Sequence, residues 1–427
     1  MFLPKKPKQF RSLILSLAIL LLVSGISYKL GERRVFQSAV VLLKPIKNIE
    51  QPSNQSTVDF SLFWDVWGRL QHYYIDSANI DTQKMLWGAI TGAVNSLDDP
   101  YTVFLPPKEN KEFKEDLGGE FEGIGAQLDL KDGQIIVVAP LKGTPAEKAG
   151  IKPFDWIMKV DGEETLDWTV AKAVSKIRGA KGSGVKLTIL HEKADKPVEM
   201  TIVRDGIVVP SVESWIKPIN TIEEIAGTTS SARLRTETIA YLKLSRFGDR
   251  TNEEWVSAVV DIAKAWNEKK VKGLVFDLRN NPGGYLDGSV FIASEFLKSG
   301  IVVTQTNSDG TKDDYQIDRK GGLLDIPLVV LINKGSASAS EIVAGAIKDY
   351  QRGTIVGETS FGKGSVQTPQ ELNGGASVHI TTGKWLLPKG DWIHKKGITP
   401  DVVVSLNGGT EASSDAQLVR AIEMLVK

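Results

Sequence analysis

Ser336, Ser338 and Ser340 alternate with small residues in GSASASE (335–341), just where an apolar run, PLVVLIN (327–333), gives way to a helical pattern. A serine at a sharp strand-to-helix turn projects its hydroxyl at the mouth of a sheet. The N–H groups of the new helix point the same way, toward a developing oxyanion. Further along, FGKGSVQ (361–367) boxes Lys363 between Gly362 and Gly364. Taken as a strand, this stretch puts Lys363, Ser365 and Gln367 on one face. A lysine accepts a serine proton only when neutral; its reference pKa of about 10.4 falls by up to roughly 3–5 units on full burial. No acid lies between Phe361 and Gln370 to oppose that shift, and the Gln367 amide can hold a neutral amine without charging it. The chemistry these residues suit is hydrolysis by a serine with lysine as base. A plainer reading competes with it. Ser338-Ala339-Ser340-Glu341 is a capping box, which explains a serine without any chemistry. Ser336 and Ser340 are rival candidates on local grounds.

A third stretch, DLRNNPGG (277–284), follows the apolar run GLVFDL (273–278). Its paired glycines, Gly283 and Gly284, allow close backbone approach, which suits a second oxyanion donor. The alternative is a loop in which Asp277 pairs with Arg279. Other chemistries fit worse. His72, His191, His379 and His394 are the only histidines and none sits in a catalytic motif; His191 and His394 read as structural. There is no H-E-x-x-H, no cysteine and no phosphate loop, so neither metal nor cofactor is expected.

The elements that must carry these residues belong to a chain of 427 residues, enough for two or three domains. Lys+Arg and Asp+Glu both number 52, so no basic face marks a nucleic-acid binder. Lys5, Lys6, Lys8 and Arg11 precede an apolar run from Leu13 to Ile26, with Lys29, Arg33 and Arg34 behind it. That polarity is an export signal. With no clean cleavage site after it, residues 1–34 are expected to be an uncleaved signal-anchor. The catalytic part is then extracytoplasmic, periplasmic or extracellular, on a single-pass membrane protein. A polar linker (35–58) follows. Residues 59–117 read as a helical region in which Phe60, Phe63, Trp64, Trp67 and Leu70 recur at helical spacing. Those aromatics serve either a core or self-association into a homodimer. LDDPYTVFLPP (97–107) ends the helical pattern.

From Gly118 the pattern changes to short strands: IGAQLDL, a KDG turn and QIIVVAP make a hairpin. TPAEKAGI is a short helix, with Thr144 as N-cap and Gly150 at its end. Residues 118–205 resemble a PDZ domain, with Gly123-Ile124-Gly125-Ala126 where that family keeps its carboxylate-binding loop. A glycine turn before a strand can aim successive N–H groups at a terminal carboxylate, and the peptide then adds as a strand. After Asp205 strands and helices alternate, as in parallel βαβ units. The polar stretch Thr221–Thr238 is longer than such a fold requires.

Taken together, DDPYT (98–102), GIGA (123–126), DLRNNPGG (277–284), GSASASE (335–341), FGKGSVQ (361–367) and KGITPD (396–401) resemble the carboxyl-terminal processing, or tail-specific, proteases of the S41 serine peptidase family. Pro282 stands where many relatives have glycine. The resemblance covers residues from about 60 to 405. With the N-terminal anchor read above, the expected chain is multidomain α/β: a membrane anchor, a helical segment, a β-rich PDZ domain, a crotonase/ClpP-like α/β catalytic core (206–405) and a C-terminal helix (406–427). The resemblance implies Ser338 as nucleophile, Lys363 as general base, Gln367 as its orienter, and the N–H groups of Gly284 and Ala339 as the oxyanion hole. The implied partners are proteins or peptides with a free C-terminus. Two rivals remain open. A non-catalytic PDZ scaffold or chaperone would have lost Ser338, Lys363 or the glycines, and all are present. A CoA-type acyl-transfer enzyme would carry a nucleotide-binding stretch, and none is found.

Overall fold

The computed structural model describes residues 58–192, 194–222, 236–405 and 415–426. The expected signal-anchor and nearly all of the linker lie outside the described residues, as does most of the 221–238 loop. Among the described residues no helix is long and apolar enough to cross a membrane. The chain divides into two compact units, one up to Thr82 and one from Gln83.

In the first unit the helical spacing yields Ser61–Tyr73 and then only a 3-10 turn, Ser77–Asn79, rather than one continuous helix. Tyr74 is extended. Asp76, Asn79 and Asp81 crowd this stretch, and such side chains compete for backbone hydrogen bonds and favour turns over helix interiors. Phe63, Trp64 and Trp67 pack on one another, with ring centroids 5.0 to 6.1 Å apart. Helix Thr82–Asn95 begins at the junction of the units.

In the second unit one six-stranded sheet runs in the order Val212–Pro218, Thr238–Leu244, Leu274–Asp277, Leu328–Ile332, Thr354–Gly357 and Val402–Val403. The first pair is antiparallel and the rest parallel, with Leu274 beside Leu328 and Val329 beside Thr354. Parallel strands covered on both faces read as unbroken apolar runs. LVFD and LVVLI are buried at every position. One face packs on helices Thr251–Asn267, Leu286–Ala293 and Ala339–Asp349, around the fully buried rings of Trp255, Phe276 and Phe296. The opposite face is covered by helix Ala416–Leu425 through Leu418, Ala421 and Ile422.

A second, antiparallel sheet centres on the long strand Ser377–Leu386. It pairs with Ser365–Glu371, with Ile301–Asn307 and with Val103–Leu105, a strand contributed from before the PDZ segment. Between these parts, strands Ala126–Lys131, Gln134–Pro140, Trp156–Val160, Gly184–Leu190 and Val198–Val203 form a sheet in that order, closed over its own core by helix Val170–Ile177. A separate strand pair stands at its neck. Glu120–Gly123 runs antiparallel to Asp205–Val208, with Gly123 opposite Asp205.

Candidate active site

Strand Leu328–Ile332 delivers the chain to Asn333, whose carboxamide oxygen accepts the N–H groups of Asn280 and Gly335 at 2.9 and 3.0 Å. The turn ends at Ser338, which has φ +55° and ψ −117°. A non-glycine residue rarely holds this conformation without surrounding structure that enforces it, and a strained serine between strand and helix is the elbow geometry of hydrolytic nucleophiles. The three serines now separate. Ser336 and Ser340 are fully buried. Ser336 donates to the Leu278 carbonyl at 2.8 Å, and Ser340 donates to the Asn281 carbonyl at 2.7 Å. Ser338 alone is partly exposed.

The capping box is present in part and has a larger task. The Glu341 carboxylate is fully buried and accepts from four groups. One oxygen takes the N–H of Ser338 and the N–H of Lys363, each at 2.9 Å. The other takes the Gly362 N–H and the Ser360 hydroxyl, each at 2.6 Å. One side chain therefore holds the serine turn and the lysine loop together. Sequence reasoning saw Glu341 only as a cap partner; nothing local indicated its bonds to Ser360, Gly362 and Lys363.

Lys363 lies on the loop before strand Ser365–Glu371 rather than within it. Gly362 takes φ +90°, and the loop is fixed by bonds from Lys395 N–H to the Gly362 carbonyl and from the Trp392 indole to the Gly364 carbonyl. The simple alternation expected for 361–367 therefore fails, and a register shift between Val366 and Gln367 interrupts it again. The Gln367 amide nitrogen donates to Ser365 and Thr381 hydroxyls at 3.0 and 3.1 Å. Among the described residues its carbonyl oxygen, the atom an amine N–H needs, accepts no hydrogen bond.

Burial pushes the Lys363 ammonium below its ordinary value, while Asp99 and Glu341 oppose the shift. The expectation of a site free of carboxylates is corrected here: both acids arrive from outside the 361–370 window. The ring of Tyr101 also lies under Lys363, with Nζ 5.3 Å from its centroid.

The 277–284 loop closes the site from the other side. A side chain at Gly283 would meet Ser338 Cβ at 2.7 Å and Ala339 N at 3.0 Å, so this loop runs against the serine turn. Gly283 and Gly284 take φ +100° and +140°, and a Cβ at Gly284 would collide with the Phe247 carbonyl. Among the described residues neither the Gly284 nor the Ala339 N–H donates to a protein acceptor. Asp277 does pair with Arg279, as the plainer reading held. Arg279 grips it through Nε and Nη2, and Nη1 reaches Asp415 at 2.9 Å. Burial disfavours the Arg279 charge, but Asp277 and Asp415 outweigh it and push its pKa up. Tyr241 donates to the same Asp277 carboxylate at 2.8 Å. The pair anchors the loop whose Gly283 lies against Ser338.

At the other candidate site, Gly125 takes φ +77°, and a Cβ there would meet Thr144 Cβ at 2.5 Å. Thr144 does not cap its helix with its side chain; its hydroxyl donates to the Gly125 carbonyl at 2.9 Å and steadies the turn. Ile124 anchors the loop in the core, and its carbonyl accepts the Ala146 N–H. Of the histidines, His191 sits 2.9 Å from Asp155, and His379 is buried, which pushes its pKa down. Among the described residues no three His, Asp or Glu side chains converge as a metal site.

Comparison with known proteins gives a consistent picture. The description of peptidase family S41 matches residues 238–404, and that of the PDZ domain matches residues 113–190. Over 327 residues the chain is 39% identical to the carboxy-terminal processing protease CtpA of Bacillus subtilis, which covers 76% of this chain and 65% of that one. The chain thus spans just under two thirds of that relative. It is 37% identical over 373 residues to the carboxy-terminal-processing protease of Bartonella bacilliformis, covering 87% of this chain and 80% of that one. A solved Bacteroides fragilis protein described as an S41 protease superimposes with a TM-score of 0.54 at 17% identity, over 83% of this chain and 95% of that one. That likeness shows the fold alone.

Proposed function

The chain belongs to peptidase family S41, and on that footing we propose that it is a serine endopeptidase that engages the C-terminal tail of protein substrates and cleaves them with Ser338 and Lys363. The observation that carries the reading is the Glu341 carboxylate, which takes an N–H from both residues on one oxygen. The neutral Lys363 amine removes the Ser338 hydroxyl proton as the oxygen attacks the amide carbonyl. The oxyanion forms beside the Ala339 and Gly284 N–H groups. Lys363 then passes the proton to the leaving amine, and water hydrolyses the acyl-enzyme. Gln367, through its carbonyl oxygen, orients the amine.

The glycine turn Gly123–Ala126, braced by Thr144, supports capture of a terminal carboxylate by backbone N–H groups, with the tail adding as a strand. The basic-flanked apolar run at 13–26 supports a membrane-anchored chain with its catalytic part outside the cytoplasm. The aromatic face of helix Ser61–Tyr73 supports self-association.

The test is Ser338→Ala. Loss of a helix cap costs about 0.5–2 kcal/mol and leaves a folded, slightly less stable enzyme. Loss of the nucleophile abolishes cleavage of a denatured protein while the fold persists. Near-normal proteolysis by Ser338→Ala sinks the assignment.

A further inference from the structure

A segment that precedes the PDZ domain in sequence reaches into the active site. Residues 103–105 of this segment pair with the Ser377–Leu386 strand. Val103 lies opposite His379, and the Thr381 N–H donates to the Thr102 hydroxyl at 3.0 Å. Asp99 organises the turn that precedes this strand. Its carboxylate accepts the Tyr101 N–H at 3.1 Å and the Thr102 hydroxyl at 2.6 Å. Burial works against the Asp99 charge, but hydrogen bonds from Thr102, Thr381 and Tyr101 outweigh it and hold the carboxyl below its ordinary value. The Tyr101 ring is pinned edge-on to His394, with centroids 5.9 Å apart at 70°. Its free face lies under Lys363, and 5.3 Å from Nζ to centroid is inside the range of a cation–π contact.

We infer that Asp99 and Tyr101 are positioning residues for Lys363: the ring seats the ammonium that forms when Lys363 takes the Ser338 proton, and the carboxylate supplies its countercharge. The inference rests on the Ser338–Lys363 reading above. In that step the Ser338 O–H bond breaks, its proton joins Nζ, the oxygen's electron pair forms the bond to the carbonyl carbon, and the C=O π pair moves onto the carbonyl oxygen as the oxyanion. A neutral amine gains little from an aromatic face, whereas the ammonium is drawn to it. The contact therefore strengthens as the proton is transferred, which is when stabilisation lowers a barrier.

The groups acting on Lys363 come from three elements, while the loop that holds Gly362 and Gly364 brings Lys395, Trp392 and His394 beside them. Asp99 and Tyr101 come from the 98–105 segment, Glu341 from the helix after Ser338, and His379 from the long antiparallel strand. Burial holds the His379 pKa down, so it adds no positive charge near neutrality. Burial likewise raises the Tyr101 hydroxyl, which stays protonated and presents a neutral ring.

The experiment follows the labelling of Ser338 by a fluorophosphonate in the full chain, as a function of pH. Lys363 must be neutral to act, so the rate rises with pH through its titration. Tyr101→Leu removes a preference for the ammonium; the acid-side midpoint moves to lower pH, and the plateau rate falls about 3- to 10-fold. Tyr101→Phe keeps the face and restores the midpoint. Asp99→Asn removes a charge that favours the ammonium and also moves the midpoint down. An unmoved midpoint in Asp99→Asn overturns the inference even where Tyr101→Leu does not fold. So does a Tyr101→Leu profile that overlays the wild type while Lys363→Ala is silent. Wild-type labelling by Lys363→Ala instead overturns the base reading itself.

Discussion

Lys363 is held where an ammonium is poorly solvated, and this has a thermodynamic signature apart from catalysis. Its folded-state pKa lies below the ordinary 10.5, chiefly through burial. The unfolded chain therefore binds the proton more tightly, and Lys363 destabilises the fold at neutral pH. That penalty shrinks as pH rises from the folded pKa toward the unfolded one. Lys363→Met should accordingly melt higher than wild type at neutral pH, with the gain vanishing near the unfolded lysine pKa, as calorimetry across pH would show. Lys363→Arg keeps a charge that cannot be lost near neutrality; it should be as inactive as Lys363→Ala, and more than a few per cent of wild-type proteolysis would contradict the base role. At this scale the sequence was informative about types and poor about neighbours. Ser338 and Lys363 stand out because small residues surround them, but the carboxylates that oppose the Lys363 shift are those of Asp99 and Glu341, and no local pattern connects the three.

Among the elements, the 277–284 loop is held at both ends. It is anchored at one end by Arg279 between Asp277 and Asp415, and at the other it runs along Ser338. Gly283→Ala must place a methyl group at φ +100°, against Ser338 Cβ. The backbone cost is about 1–2 kcal/mol. If the loop shifts to relieve it and withdraws the Gly284 N–H, turnover should fall by about 10²–10³-fold. Measured kcat should then drop far more than the melting temperature indicates; a pure stability loss with normal kcat would mean the loop supplies no donor. The parallel strands were legible because burial on both faces makes them continuous apolar runs, as in LVVLI. The antiparallel sheet was not. Its strands Lys312–Gln316 and Ser365–Glu371 are polar and partly exposed, so their pairing depends on partners far away in sequence. Thr144 is the N-cap residue as Pro145 signalled, but its hydroxyl donates to the Leu141 and Gly125 carbonyls rather than capping the helix N–H groups.

For the molecule as a whole, the proposed function puts recognition and chemistry in different domains, and on that reading they should fail separately. Amidating a substrate's C-terminus removes the charge that the Gly123–Ala126 turn is read to bind. Gly125→Val forces a branched side chain onto φ +77°, against Thr144. Each change should slow cleavage of a tailed substrate while labelling of Ser338 by a fluorophosphonate is retained. Equal cleavage of acid-ended and amide-ended versions of one peptide would remove carboxylate reading from the function. The PDZ segment was recognisable from its glycines and turns, whereas the joining of the strand before it, Val103–Leu105, to the Ser377–Leu386 strand far behind it emerges only from the strand pairing. That placement has an evolutionary meaning. Because Gly123 faces Asp205 across the neck, the chain leaves the catalytic body and returns to it at one point. Arg178, which meets Glu115 at 3.4 Å, is a second tie between the segment and the body. A chain that exchanged one reading head for another would have to keep the two-strand stem and that ion pair together.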